Sequence, residues 1–486
     1  MRISLILFIC GIINIFLGGL MLIPAGIDFF ANQEQNGEEF LLCALLTAFV
    51  GMLISGFSYR NWKEKISKKE MFIITSSVWF LFGLVGALPF YFSGQNLSFT
   101  DSIFESISGI TTTGATILAH IDSMPKGFLL WRAMLQWLGG IGIVILAITI
   151  LPILRIGGMQ LFTTESSDSS AKDSPFVSSK LKRYIYAYLF VSSMCVWALF
   201  VAGMDLFDAF AHMMTAVSTG GFSTHDLSIG YYENPTIEWI LIFFMTVGGL
   251  PLSIIVAFLE GKWQQLKENS QIKTYLGSLF VMIVPISILM WTLMGIFESF
   301  SKALRTFAFH TVSIMTSTGY VTENYTLWGP FFVLFFFILT AVGGCTGSTA
   351  GGIKIFRFSI LSKAIKRHLT LMISPHAIVV PHYNKKPVSE DVMLGVTSFM
   401  SIFCLITILG AGILTLTGLD FMTSLSGSLT AIANVGPGLG NLIGPDKSFI
   451  LLPDTAKWVL SLIMILGRLE FMTILVLFLP KLWTKN

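Results

Sequence analysis

Residues 100–116 read TDSIFESISGITTTGAT, and three later stretches can be laid over them: LFDAFAHMMTAVSTGGFS at 206–223, ALRTFAFHTVSIMTSTGY at 303–320 and FMTSLSGSLTAIANVGPG at 421–438. Each is a short apolar run that ends in a glycine turn. Aligned on Gly114, Gly220, Gly319 and Gly436, the first three carry a Phe ten residues upstream (Phe104, Phe210, Phe309), where the fourth has Ser426. The glycines stand 106, 99 and 117 residues apart, a repeat of about a hundred residues. Apolar runs of this length are too short to cross ~30 Å of hydrocarbon and too greasy for a water-exposed loop. They suit re-entrant helices, whose ends must be satisfied by surrounding protein.

Composition sets the solvent. Of 486 residues, 54% are hydrophobic and only 12% charged, with 44 Gly and 43 Phe. A chain with about half the usual charge cannot dissolve its surface in water, so this is an integral membrane protein. The net charge of +3 offers no basis for nucleic-acid binding. Cys10, Cys43, Cys195, Cys345 and Cys404 show neither disulfide nor metal-site spacing.

Ten segments are apolar for about 20 residues and predict an all-α protein with about ten transmembrane helices: 3–27, 40–59, 71–92, 128–153, 184–203, 237–259, 274–297, 329–357, 393–417 and 455–480. With the N-terminus inside, 23 of the 30 Lys and Arg fall on inside loops, which predicts both termini cytoplasmic. The inside loops carry no domain. Residues 160–182 are Ser-rich and linker-like, and 360–392 form a basic segment suited to docking or lipid headgroups. Residues 1–70 then hold two additional helices. Four repeats follow at 71–160, 161–271, 272–390 and 391–486, each a span, a short helix, a Gly loop and a second span around one central pore.

Four such loops can meet at the outer mouth of a pore. Glycine tolerates positive φ, so successive carbonyls can turn to one axis and replace the hydration shell of a monovalent cation. Thr113, Thr219, Thr318 and Val435, β-branched, precede the glycines and stiffen the strand. The second spans carry a recurring pair, Gly139-Gly140, Gly248-Gly249 and Gly343-Gly344, with Gly467-Arg468 at the comparable place in the fourth repeat. Residues 343–354 read GGCTGSTAGGIK; so many glycines cannot hold a helix, and the span should break there. Arg468 in an apolar span should face a cavity or a partner such as Glu470. Asp101, Glu105, Asp205, Asp208 and Asp420 fall on the outer face, either to attract cations or to sit at short-helix N-termini. His212 and His310 read as packing residues and Arg132 as a snorkelling one.

These features together resemble the Trk/Ktr/HKT superfamily of potassium translocators, and the two extra N-terminal spans make the chain similar to its bacterial TrkH-type branch. The resemblance implies a selectivity filter of Thr112, Thr113 and Gly114, Ser218, Thr219 and Gly220, Ser317, Thr318 and Gly319, and Asn434, Val435 and Gly436. It implies a gating loop of Gly343, Gly344, Cys345, Thr346, Gly347, Ser348, Thr349, Ala350, Gly351 and Gly352, with Arg468 as a pore charge. Gly114, where a Ser goes with sodium transport in the plant branch, favours K+ as the transported ion. A homodimer in the bacterial inner membrane, regulated by a cytosolic nucleotide-binding subunit of the TrkA type, is also implied. No enzymatic constellation and no organic cofactor are expected. An H+- or Na+-coupled K+ symporter with the same filter is the alternative.

Overall fold

The computed structural model describes residues 2–58, 67–149, 174–384 and 386–483. The Ser-rich linker up to residue 173, and the ends of the spans expected at 40–59 and 128–153, lie outside the described residues.

Among the described residues, seven helices are long and apolar enough to cross a membrane: Ile3–Phe30, Glu34–Ser58, Lys69–Phe92, Lys126–Ala147, Leu181–Val201, Ser270–Thr292 and Glu390–Leu416. Two sharply bent helix pairs meet the same length and hydropathy criterion when taken together, Pro235–Gly248 with Leu252–Leu259 (102°) and Asp454–Arg468 with Met472–Phe478 (98°), for seven to nine spans among the described residues against the ten expected. The first bend has a direct cause, because Pro251 cannot donate into a continuing helix. At the second, Glu470 takes a left-handed conformation (φ 51°). The span expected at 329–357 is not one helix. Pro330–Ala341 is only 12 residues, about 18 Å, and gives way to irregular backbone before Ile355–Ile373.

The two N-terminal helices pack closely along a small-residue seam, where a Cβ on Gly11 would meet the Ser55 backbone at 2.7 Å. The four short helices are Phe99–Ile110, Leu206–Val217, Phe300–Met315 and Phe421–Ala433. Each is capped at its N-terminus by a side chain: Ser98 accepts from Asp101 N, Asp205 from Phe207 N, Ser299 from Lys302 N and Asp420 from Thr423 N. Their C-terminal halves are almost wholly buried in protein, the condition that re-entrant backbone requires.

Packing arranges these helices in a closed ring. The second short helix lies against Lys126–Thr149, the third against Pro235–Gly248 and the fourth against Pro330–Ala341, in each case the helix that follows the preceding short helix. The first lies against Asp454–Arg468, the helix that follows the last. A linear repeat thereby becomes a cycle.

Candidate functional site

The short helices all end in one way. A residue in left-handed conformation follows each: Thr112 (φ 53°), Thr219 (54°), Ser317 (55°) and Asn434 (53°). The next N–H reaches back five residues, from Thr113 to Ser108 O, Gly220 to Thr215 O, Thr318 to Ser313 O and Val435 to Thr430 O, at 2.8–3.1 Å. A second left-handed residue then follows, always glycine: Gly114, Gly221, Gly319 and Gly436 (φ 80–104°). A non-glycine residue in this region costs about 1–3 kcal/mol. Its recurrence four times marks a conformation the fold imposes. Alternating the sign of φ turns successive carbonyls to the same side.

Those carbonyls meet. A Cβ on Gly114 would overlap the carbonyl oxygen of Gly220, one on Gly221 that of Thr318, and one on Gly319 that of Val435. The cycle closes where a Cβ on Gly436 would come within 2.7 Å of Thr113 O. The ring carbonyls are therefore those of Thr113, Gly220, Thr318 and Val435, each held against a glycine of the neighbouring loop.

The second loop differs from the sequence expectation by one residue. The residues equivalent to Thr112, Thr113 and Gly114 are Thr219, Gly220 and Gly221. Ser218 is the helix cap, as Thr111 and Thr316 are. Aligning on Gly220 shifted the register by one residue; the Gly220-Gly221 doublet was the signal for the alternative. As a consequence the second ring position carries no β-branched side chain.

What holds the ring came only in part from the sequence. Thr111 and Thr113 share a hydroxyl hydrogen bond (2.8 Å), as do Thr316 and Thr318 (2.7 Å). Asn434 Nδ2 donates to Thr113 Oγ1 (3.0 Å) and to Met464 O (2.9 Å), joining the fourth loop to the first. Gln136, which had no sequence signal, donates from Nε2 to Gly220 O (2.7 Å) and accepts from Phe222 N (3.0 Å). One turn outward, Arg132 does not snorkel. It is buried, ion-paired with Glu105 (2.7 Å), stacked over Phe222, and bonded to Ser223 O and Thr116 Oγ1. Glu105 is thus neutralised inside the protein and does not face the outer solution.

The other acids on the short helices are also engaged. Asp205 and Asp420 cap, Asp101 pairs with Lys457 (2.6 Å), and Asp208 accepts from Thr224 (2.8 Å) and faces His225. His212 bridges Asp208 O and Ser223 Oγ, and His310 bridges Thr306 O and Glu323 O, so both are packing residues.

Against the ring, in contact with the C-terminal ends of the short helices, lies the glycine-rich segment. Its two limbs run side by side, with Val342 bridged to Ile353 and Gly343 N bonded to Ile353 O (2.9 Å). A Cβ on Gly343 would overlap Gly351 O, and Gly344 lies against Gly249 and Ala350. Cys345 N reaches Gly249 O and Thr346 N reaches Gln271 Oε1, both at 2.9 Å. Gly347 O accepts from Leu252 N, and Ser348 Oγ donates to Cys345 O. Thr349 Oγ1 donates to Val217 O and Gly248 O (3.1 Å each) and receives Thr219 Oγ1 (3.3 Å). Ala350 O accepts from the buried Lys354 ammonium, Gly351 N donates to Ser317 Oγ, and Gly352 is left-handed (φ 64°). A Cβ on Gly351 would overlap Ala433 O. The tip therefore touches the second, third and fourth loops at once.

Arg468 completes this layer. Gly467 and Gly139 occupy equivalent places, each against the carbonyl four residues before its ring glycine (Ile432 and Ile110), so Arg468 stands where Gly140 stands in the first repeat. Buried, it donates to Thr349 O (2.9 Å) and Gly139 O (3.1 Å). Glu470 is not its partner: that carboxylate pairs with Arg357. Among the described residues Arg468 has only carbonyl acceptors, leaving its charge uncancelled.

The TrkH family, described as cation transport protein, matches residues 39–485. The Trk system potassium uptake protein TrkI of Halomonas elongata is 42% identical over 427 residues, 87% of this chain and 86% of its own. The Trk system potassium uptake protein TrkH of Escherichia coli K12 is 34% identical over 479 residues, 98% of each chain. The crystal structure of the potassium transporter TrkH from Vibrio parahaemolyticus matches with a TM-score of 0.91 at 30% identity, over the full length of both. A closed ring of four glycine-turn loops, a glycine-rich segment against it and a match from end to end lead to one conclusion: this chain belongs to the TrkH family of cation transport proteins, which are transporters and not enzymes.

Proposed function

We propose that this chain carries K+ into a bacterial cell through a filter formed by its four re-entrant loops. The observation that carries the reading is the ring of carbonyls from Thr113, Gly220, Thr318 and Val435, each fixed against a left-handed glycine of the next loop. Inward-turned carbonyls substitute for the water around a weakly hydrated alkali cation. The short helices aim their C-terminal, partially negative ends at that ring, which favours a cation over an anion. The relatives' names as potassium uptake proteins support the choice of ion.

The segment 343–352 is the gate in this reading, and Arg468 its electrostatic bolt. Loop tip and guanidinium close one another by the Thr349 O contact, and both lie on the inner side of the ring. The repeats at 71–160, 161–271, 272–390 and 391–486 then supply one wall each. Both termini are cytoplasmic by the distribution of Lys and Arg. Assembly as a homodimer in the inner membrane, under a TrkA-type nucleotide-binding subunit, belongs to the same proposal.

Obligatory H+ coupling would need a carboxylate or histidine that loads and empties in each cycle. Glu105 is held by Arg132, Glu470 by Arg357, and His212 and His310 by backbone or hydroxyl partners, which supports a channel-like route.

The test is cation flux into liposomes holding the purified chain. Radioactive rubidium uptake and a reversal potential that follows the K+ gradient are expected, and a reversal potential that follows pH at fixed K+ would overturn the channel-like route. Gly114→Ser should weaken discrimination of K+ over Na+; unchanged discrimination would remove the first loop from the filter.

A further inference from the structure

Three of the four ring positions carry a side chain, Thr113, Thr318 and Val435; the second is Gly220. Backbone conformation does not demand glycine there, because Gly220 is not among the left-handed residues. Space does. A Cβ on Gly220 would sit 2.9 Å from Gln136 Cβ and overlap the carboxamide carbon and oxygen of that side chain. The volume that a Thr or Val fills in the other walls is filled here by a glutamine from the first repeat's second span.

Gln136 is buried, and both ends of its carboxamide are committed. Nε2 donates to Gly220 O at 2.7 Å, and Oε1 accepts from Phe222 N at 3.0 Å. The reversed amide would set two donors face to face at Phe222 and two acceptors at Gly220, so the orientation is fixed by its partners. Gly220 O is the ring carbonyl that abuts Gly114. Among the described residues no donor is bonded to the corresponding oxygens of Thr113, Thr318 or Val435. One wall in four thus spends part of its acceptor capacity on the protein, through a clamp that also locks its direction.

We propose that Gln136 is a specificity-determining residue of the transport path: it sets both the position and the field strength of the second wall by holding the Gly220 carbonyl. The inference rests on the filter reading above. A donor bonded to a ligating carbonyl draws its lone-pair density away from the ion, and a smaller, harder cation suffers differently from K+ when that oxygen is fixed at one radius. Replacing the amide by an apolar group of similar length frees the oxygen to move inward, toward the distance that Na+ prefers.

The experiment measures K+/Na+ permeability ratios from reversal potentials of the full chain in liposomes, for wild type, Gln136→Leu, Gln136→Glu and Gly114→Ser. Gln136→Leu should lower the ratio about fivefold, the scale of one hydrogen bond. Gln136→Glu keeps the acceptor for Phe222 N but loses the donor, and should lower it at least as much. If Gly114→Ser lowers the ratio while both Gln136 variants match wild type, the clamp has no part in selectivity and the inference is overturned. If all three variants match wild type, the filter reading itself fails. Should the Gln136 variants not assemble, Gly220→Ala decides by the same permeability ratio, because a Cβ there overlaps the Gln136 carboxamide and must displace the clamp. It should lower the ratio about fivefold, the scale of one hydrogen bond. A wild-type ratio in Gly220→Ala would overturn the inference.

Discussion

Arg468 donates to the carbonyl of Thr349 across 2.9 Å, so this buried guanidinium and the tip of the glycine-rich segment hold each other in place. Neither the loop nor the charge can be displaced without the other losing a partner. Arg468→Gln should therefore raise basal cation flux in the absence of any cytosolic partner. Removing a buried unit charge from a cation's path lowers the barrier by at least ~1.4 kcal/mol, so the increase should be about tenfold or more. Rubidium efflux from preloaded liposomes reads this directly, and wild-type efflux would show that the charge is no barrier.

Gly351 offers an independent handle on the same contact. A side chain there would overlap Ala433 O, at the end of the fourth short helix. Overpacking of this kind costs about 1–3 kcal/mol, charged against the seated loop alone. Gly351→Ala should raise basal flux by about tenfold while leaving the K+/Na+ ratio at its wild-type value, because the ring lies one layer further out. A changed ratio with unchanged flux would reverse the assignment of the two layers.

The buried Arg132–Glu105 pair ties the outer ends of the first two loops together. Arg132→Met leaves Glu105 as an uncompensated charge in the interior, at about 3–5 kcal/mol. Thermal unfolding in detergent should show a much lowered Tm. Adding Glu105→Gln should recover most of the loss; a double variant no more stable than the single one would mean the pair is not the cause.

Near the protein surface, in the loop after the second short helix, His225 lies between Asp122 (2.5 Å) and Asp208 (3.1 Å) and stacks on Tyr231. Partial burial works against its charge, but the hydrogen bonds and charges of both carboxylates outweigh it and raise its pKa above the usual histidine value. A raised pKa contributes stability in full below the unfolded value of about 6.5 and loses it as pH climbs through the folded value. His225→Ala should therefore lower Tm clearly at about pH 6 and progressively less toward about pH 9. A deficit that is flat across this range would show that stacking, and not charge, is what His225 contributes.

Much of this architecture was legible in the residues. The membrane class, the four short helices ending in glycine turns, the break at 343–352 and the odd placement of Arg468 all follow from local pattern, since hydropathy and glycine content act within a few turns. The failures share one cause. Gln136 and Gly220, and Arg357 and Glu470, are joined only between repeats, and Arg132 and Glu105 only by the folding of the first repeat on itself; no periodicity links residues so far apart. The second loop's register slipped for a related reason. Gly220, ten residues after Phe210, suggested one alignment, but the carbonyl that the ring uses is chosen by neighbours from another repeat. The span expected at 329–357 breaks at the glycines as anticipated, with Pro330–Ala341 ending just before them.

In an assembly of four identical subunits, any substitution near the axis appears four times, and a small flaw becomes a large one. Here Thr113, Gly220, Thr318 and Val435 are written separately along one polypeptide. A single codon change touches one quadrant and leaves three intact. Under the proposed filter, its chemistry can therefore change one quadrant at a time, and the four quadrants of this chain are already unlike.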